Sequence, residues 1–187
     1  YSHYCAEDVH IIKSIPGCEF IAPGSAKQFL QLFNAAYRDG QPTFFRISDH
    51  PNKEYDVDVT FGKANVIQQG NKATVIAVSV MLDEVMKVCK GQDVTVLYYT
   101  TLEPFDYQTL NENCPSNKVL IVEPEYEGSL LYDIHKALPH RPLQIEHVAF
   151  PREIFRNYGS YQEKMDYYGM TAKSITDKLR VLLEKES

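Results

Sequence analysis

The sequence predicts an α/β protein built around a mostly parallel sheet. Three observations carry this. Short apolar runs alternate with helical periods along most of the 187 residues. Two of the first runs are joined by one capped helix, the pattern of a βαβ crossover with parallel pairing. Gly or Pro closes most of the helical stretches.

The elements follow in order. Residues 6–14 have helical spacing through Val9 and Ile12, and Pro16-Gly17 stops them. Glu19-Phe20-Ile21 reads as a short buried strand ending at Pro23-Gly24. Ser25 with Gln28 has the form of a capping box. The helix that follows is expected to place Phe29, Leu32, Phe33, Ala36 and Tyr37 on one face and to end at Gly40. Residues 43–47 form the second strand. The polar stretch 49–61 lacks a helical period and reads as a connector. From Gly62 a second series begins, with strands at 64–68, 73–79, 94–99, 119–123 and 144–150. Helices are expected at 81–90, about 106–113, and 128–138. A last helix follows the cap Thr171, with Ile175, Leu179 and Leu182 at helical spacing. Residues 151–170 read as a surface excursion with at most a short helix. The short link between 64–68 and 73–79 suggests an antiparallel hairpin, so the second sheet is expected to be mixed, with one antiparallel edge strand.

Composition narrows the function classes. Hydrophobic residues make up 44% of the chain, enough for a sizeable core. Net charge is −6 and no Lys/Arg run interrupts the sequence, so nucleic acid is not an expected partner. No apolar run approaches 18 residues, so no membrane partner is expected. Cys5, Cys18, Cys89 and Cys114 are widely separated and show no metal spacing. Cys18 and Cys89 read as buried thiols, and a reducing cytoplasm is the expected compartment. His135, His140 and His147 likewise lack ligand spacing. Glu123, Glu125 and Glu127 read as a charged strand end before a helix N-terminus rather than as a cation site. Phosphate-loop, dinucleotide-fingerprint, zinc-protease and serine-elbow motifs are all missing.

Several segments, in order, resemble the transketolase-like thiamine-diphosphate enzymes, a group that includes deoxyxylulose-phosphate synthase and the β subunits of 2-oxo-acid dehydrogenases. They are Ser2-His3-Tyr4-Cys5-Ala6-Glu7-Asp8-Val9 with Ile15-Pro16-Gly17, Ala22-Pro23-Gly24-Ser25, Asp39-Gly40-Gln41-Pro42-Thr43 and Phe45-Arg46-Ile47-Ser48. Further on come Phe61-Gly62-Lys63-Ala64, Thr101-Leu102-Glu103-Pro104-Phe105-Asp106 and Val122-Glu123-Pro124-Glu125-Tyr126-Glu127-Gly128. The resemblance implies that residues 1–50 are the last part of a pyrimidine-binding domain, 51–61 a linker, and 62–187 a transketolase C-terminal-like domain. A catalytic α/β unit is not expected to start at its active-site loop, so the chain is expected to be the back portion of a larger enzyme.

The same resemblance implies a two-carbon ketol transfer between sugar-type small molecules. It implies thiamine diphosphate and Mg²⁺ as cofactors, with their ligands outside this chain. The expected partner is a second copy in a homodimer or a complementary N-terminal subunit. His3 occupies the place of the family's substrate-contacting histidine, a role that suits imidazole near neutral pH. Arg46 lies in the strand that ends beside the family's substrate channel, where a guanidinium can hold an anion; pairing with Asp8 or Asp49 is its structural alternative. Asp49 stands where phosphosugar-using members carry an arginine, which argues against phosphate recognition there. Two other readings stay open: a portion of a 2-oxo-acid dehydrogenase β subunit, and a non-catalytic interface or regulatory α/β module.

Overall fold

The computed structural model describes residues 6–155 and 159–184. Two sheets organise them. The smaller has the order β2 (Thr43–Phe45), β1 (Glu19–Ile21), β6 (Thr101–Glu103), and the larger β3 (Asn65–Gln68), β5 (Thr95–Tyr99), β4 (Thr74–Val78), β7 (Lys118–Tyr126), β8 (Gln144–Phe150).

The chain enters through α1 (Asp8–Lys13) and β1 (Glu19–Ile21), then crosses by α2 (Ala26–Ala36) to β2 (Thr43–Phe45). β1 and β2 pair in parallel, Glu19 opposite Thr43 and Ile21 opposite Phe45, as a crossover requires. The Ser25 side chain caps α2 by accepting the Gln28 amide, which is half of the expected box. The other half differs. The Gln28 side chain is buried and reaches past the cap, accepting the Gly24 N–H at 2.8 Å and the Tyr98 hydroxyl at 2.8 Å. Its amide also donates to the Val57 carbonyl at 3.1 Å. A long-range acceptor role therefore replaced a local one. Leu32 and Ala36 of α2 are buried as expected, but Phe33 and Tyr37 are 38% and 47% exposed.

β3 (Asn65–Gln68) and β4 (Thr74–Val78) are consecutive but do not pair. β3 lies antiparallel against β5 (Thr95–Tyr99), and β5 separates it from β4. The antiparallel edge strand is present; the hairpin is not. The reason lies at Gly70. A Cβ there would sit 2.2 Å from the Val94 nitrogen, so only glycine lets the chain pass this close to the start of β5. Thr95 closes the crossing by bonding both the N–H and the carbonyl of Gly70. Both edges of β4 are taken by parallel neighbours, β5 and β7 (Lys118–Tyr126), and β8 (Gln144–Phe150) completes the sheet.

Alternation along the central strands builds a core on each face. Val75 and Ala77 face one way, against Leu82, Val85 and Met86 of α3 (Leu82–Cys89) and Ile175, Leu179 and Leu182 of α7 (Ala172–Glu184). Ile76 and Val78 face the other way, toward Leu110 of α4 (Tyr107–Glu112) and Ile134 of α5 (Leu131–Ala137). Each fully buried aliphatic side chain contributes about 1.5–3 kcal/mol. Cys18 and Cys89 are buried, and burial pushes the Cys89 thiol up to about 12, which leaves it unreactive. The short strand β6 (Thr101–Glu103) pairs antiparallel with β1 and joins the two sheets' layers; its three residues carry no strand signal of their own. In the 151–170 stretch, α6 (Tyr161–Tyr167) is one short helix held by a full capping box between Ser160 and Glu163. Among the described residues no helix is long and apolar enough to cross a membrane.

Candidate functional site

A cleft of about 640 Å³ opens where β2 ends and where β4 and β7 end beside it. In the larger sheet the connection from β4 runs to one neighbour and the strand on its other side is β7, so these carboxyl ends mark a topological switch point. Crevices at such points are where open α/β sheets bind ligands. The strand ends contribute Ser79 and Val80 after β4, Pro124 in β7 and Phe150 in β8.

Arg46 comes from the residue after β2 and continues the ladder by donating its N–H to the Ile21 carbonyl at 2.9 Å. Its guanidinium lies 3.2 Å from Asp8 Oδ1 and is in direct contact with Glu125. Asp8 opens α1 and also accepts the Val9 N–H at 2.8 Å. Burial raises the Asp8 carboxyl above its ordinary value, although the Arg46 charge opposes the rise. Glu125 is fully buried, and apart from this ion pair neither of its oxygens has a hydrogen-bond partner among the described residues. One cation thus faces two buried carboxylates. The cluster binds α1, β2 and β7 into one wall of the cleft.

Ser79 sits at the tip of β4 with φ 54°, an uncommon conformation for a residue with a side chain. Such positions cost on the order of 1–3 kcal/mol and persist where the surroundings hold them. Here Asn52 does so. Its buried amide donates to the Ser79 carbonyl at 2.9 Å and to Tyr98 Oη at 3.3 Å, and its carbonyl accepts the Asp83 N–H at 3.2 Å. Gly24 packs into the same knot; a Cβ would lie 2.3 Å from the Asn52 amide. The Asp83 carboxylate in turn accepts the backbone N–H groups of Lys53, Glu54 and Tyr55, pinning the connector to α3. On the outer rim the His50 ring stacks on Tyr161 with centroids 4.2 Å apart, and its Nδ1 is 2.6 Å from Asp49.

The sequence-predicted residues fare differently. Arg46 lines the cleft and is committed to Asp8 and Glu125, with Asp49 elsewhere on the rim. His3 lies outside the described residues. Glu125 was read only as part of an acidic run. β7 continues through it to Tyr126, and Glu123 and Glu125 are both fully buried. Glu123 accepts from the Ser129 hydroxyl and from the backbone N–H groups of Gly128 and Ser129, just ahead of α5. The strained Ser79 had no signal in the sequence.

The cleft does not fit a Mg²⁺–diphosphate group. Among the described residues no cluster of three His, Cys, Asp or Glu is placed to hold a metal ion. The Arg46 guanidinium is already matched by two carboxylates, and Asp49 adds negative charge at the rim.

A second surface adjoins this wall. Phe29, Phe33 and Tyr37 of α2 form a ladder with Phe45 of β2, with ring centroids 5.1–5.8 Å apart. Leu30 and Ile47, 59% and 66% exposed, extend the apolar area. The outer edge of β2 pairs with no strand among the described residues.

Comparison with known proteins places these features. Residues 62–175 match the family model described as transketolase, C-terminal domain. An uncharacterized 33.6 kDa protein of the fasciation locus of Rhodococcoides fascians is 26% identical over 98% of this chain and 60% of its own length. The 6-deoxy-6-sulfo-D-fructose transketolase subunit SqwH of a Clostridium species is 23% identical over 100% of this chain and 61% of its own length. A split-gene transketolase, solved as an inactive β4 tetramer, superposes with a TM-score of 0.85 at 22% identity, covering 97% of this chain and 63% of that one. That likeness concerns the fold. The chain spans about 60% of the length of these relatives.

Proposed function

The chain belongs to the transketolase family through its C-terminal domain, and on that premise we propose that it is the C-terminal portion of a thiamine-diphosphate enzyme that moves a two-carbon ketol unit between sugar-type substrates. In this reading residues 1–50 complete a pyrimidine-binding domain, 51–61 link, and 62–187 form the C-terminal domain. The cofactor, when bound, supplies the electron sink for carbon–carbon bond cleavage. Its diphosphate and Mg²⁺ ligands belong to polypeptide outside this chain.

What this chain supplies is a wall and a contact. The Arg46–Asp8–Glu125 cluster stiffens the wall, and His3 is proposed to hydrogen-bond the substrate oxygen. The observation that carries the reading is the apolar ridge beside a strand edge that pairs with no strand among the described residues. Phe33 and Tyr37 are exposed in a ring ladder that reaches Phe45 of β2, and Leu30 of α2 and Ile47 after β2 are exposed as well, as at a surface built to be covered. The complementary part of the enzyme, in the same chain or as a separate subunit, is the proposed cover, and a second copy completes the assembly.

Calorimetric titration of thiamine diphosphate with Mg²⁺ into this chain tests the proposal. No saturable binding is expected in the micromolar range. Saturable micromolar binding would place the cofactor ligands here and overturn it. In the assembled enzyme His3→Ala should lower turnover without a matching loss of stability; unchanged turnover removes His3 from the mechanism.

A second reading, a regulatory-ligand module, has one observation in its favour: the cleft sits at the switch point of the larger sheet and is lined by the strained Ser79. A small molecule that raises the melting temperature and perturbs Ser79 and Val80, with no cofactor requirement in the assembled enzyme, would favour it.

A further inference from the structure

At the other end of the larger sheet the amino ends of β4, β7 and β8 surround a separate hollow of about 550 Å³. Lys72 lies just before β4, Lys118 opens β7, and Arg141 comes just before β8. All three line the hollow, together with Asn71, Asn117 and Gln144. Among the described residues no Asp or Glu lines it. Three cationic residues therefore line one concavity of a chain whose net charge is −6.

Arg141 is held rather than neutralised. Its Nε donates to Asn117 Oδ1 at 2.9 Å, one terminal nitrogen to the Cys114 carbonyl at 2.8 Å, and the other to the Ser116 carbonyl at 2.5 Å. These neutral acceptors fix the plane of the guanidinium and leave its charge uncompensated. A guanidinium has five N–H donors, so two remain for a ligand. Neither Arg141 nor Lys72 has a carboxylate within ion-pair distance among the described residues. The Lys118 ammonium donates to the Leu183 carbonyl in the last turn of α7 at 3.3 Å. An oriented guanidinium, with Lys72 in the same lining and no acid among its described residues, matches an anion of two or more charges. Because the Arg141 guanidinium is fixed beforehand, little ordering of it is needed on binding.

We propose that this hollow binds a small phosphate-bearing anion. It is independent of the cofactor reading above, being at the opposite end of the sheet from the Arg46 cleft. A nucleic acid would need a basic stripe along which to neutralise successive phosphates, and the acidic net charge would oppose its approach.

The test is a titration of the isotope-labelled chain with inorganic phosphate, pyrophosphate and ADP, followed by amide shifts at low and high salt. Saturable shifts are expected at Asn71, Lys72 and the 116–118 segment, with affinity falling as salt rises. Lys72→Glu, at an exposed side chain, should weaken binding about tenfold or more. Lys90→Glu makes the same charge change outside the hollow and should leave binding within about twofold. Saturation by inorganic phosphate as tight as by the other two identifies the free ion as ligand; tighter binding of pyrophosphate or ADP identifies a phosphorylated metabolite. The proposal is overturned by no saturable shift with any of the three, by shifts centred on Arg46 and Lys164 instead, or by equal weakening in the two variants.

Discussion

Replacing Glu123 by Gln should make the protein more stable at pH 8 and change it little at pH 5. Glu123 is fully buried in β7, and burial lifts its carboxyl from 4.5 to about 7. One oxygen accepts from Ser129 and the two backbone N–H groups, whereas Oε1 has no hydrogen-bond partner among the described residues. His147 Nδ1, similarly unpartnered among the described residues, lies 3.9 Å away, and burial lowers the His147 pKa, so the imidazole does not neutralise the acid. Lys13 acts on Glu123 from α1 but is paired with Asp133 of α5. On the His147 side Glu127, Glu146 and Lys178 act in opposing senses.

The folded state therefore binds the Glu123 proton more tightly than the unfolded chain does. The stability this provides is complete below about 4.5 and is lost as pH rises to about 7, above which the fold carries a buried anion. Each pKa unit is worth about 1.4 kcal/mol, so the swing is about 3 kcal/mol at most, and ~1–3 kcal/mol after local relaxation. A glutamine keeps an acceptor for the Ser129 end and can turn its amide toward bare Nδ1 of His147. Urea denaturation of both proteins at pH 5, 6, 7 and 8 isolates the residue, because the other titrating groups cancel in the difference. The gap should open by ~1–3 kcal/mol between pH 5 and pH 8. Parallel stability curves across that range would refute the argument.

Three further outcomes follow from the same structure. Arg46→Met leaves Asp8 and Glu125 as buried, unmatched carboxylates and should cost about 3–5 kcal/mol in denaturant unfolding, while adding Glu125→Leu should recover much of that loss; an additive double variant would contradict the ion-pair account. Asn52→Leu strips hydrogen bonds from the Ser79 carbonyl and the Asp83 N–H and should cost about 2–4 kcal/mol, seen as a lower melting temperature. Phe33→Glu on the exposed ridge should change the stability of the chain by less than ~1 kcal/mol yet abolish assembly in sedimentation velocity; assembly that survives would exclude the ridge as the covered face.

Sequence and fold divide the information unevenly. Local signals settled most elements. The caps, Gly and Pro stops, and alternating apolar runs placed α2, α3, β1, β4 and β5 close to where they lie, because short-range hydrogen bonds and side-chain periodicity decide such segments. Hydrophobic period also identified the buried faces of α3 and α7. For the candidate site, a structural pairing of Arg46 with Asp8 or Asp49 was readable as the alternative to a channel role, and the fold chose Asp8. Glu125 was hidden, since nothing local tells a charged strand end from a buried ion pair. Nor does a residue's own neighbourhood explain the left-handed Ser79, which exists because Asn52, Gly24 and Tyr98 crowd around it from distant segments.

By itself the sequence determined an α/β chain, with its helices, most of its strands and its core faces, because periodicity and capping are written into neighbouring residues. Only the tertiary structure decided which strands pair. β3 joined β5 and not β4, because both edges of β4 were claimed by parallel partners and Gly70 allowed the crossing. It also gathered Lys72, Lys118 and Arg141, scattered along the chain, into the lining of one hollow. Strand register sums charges across the sheet, and no local pattern records that sum.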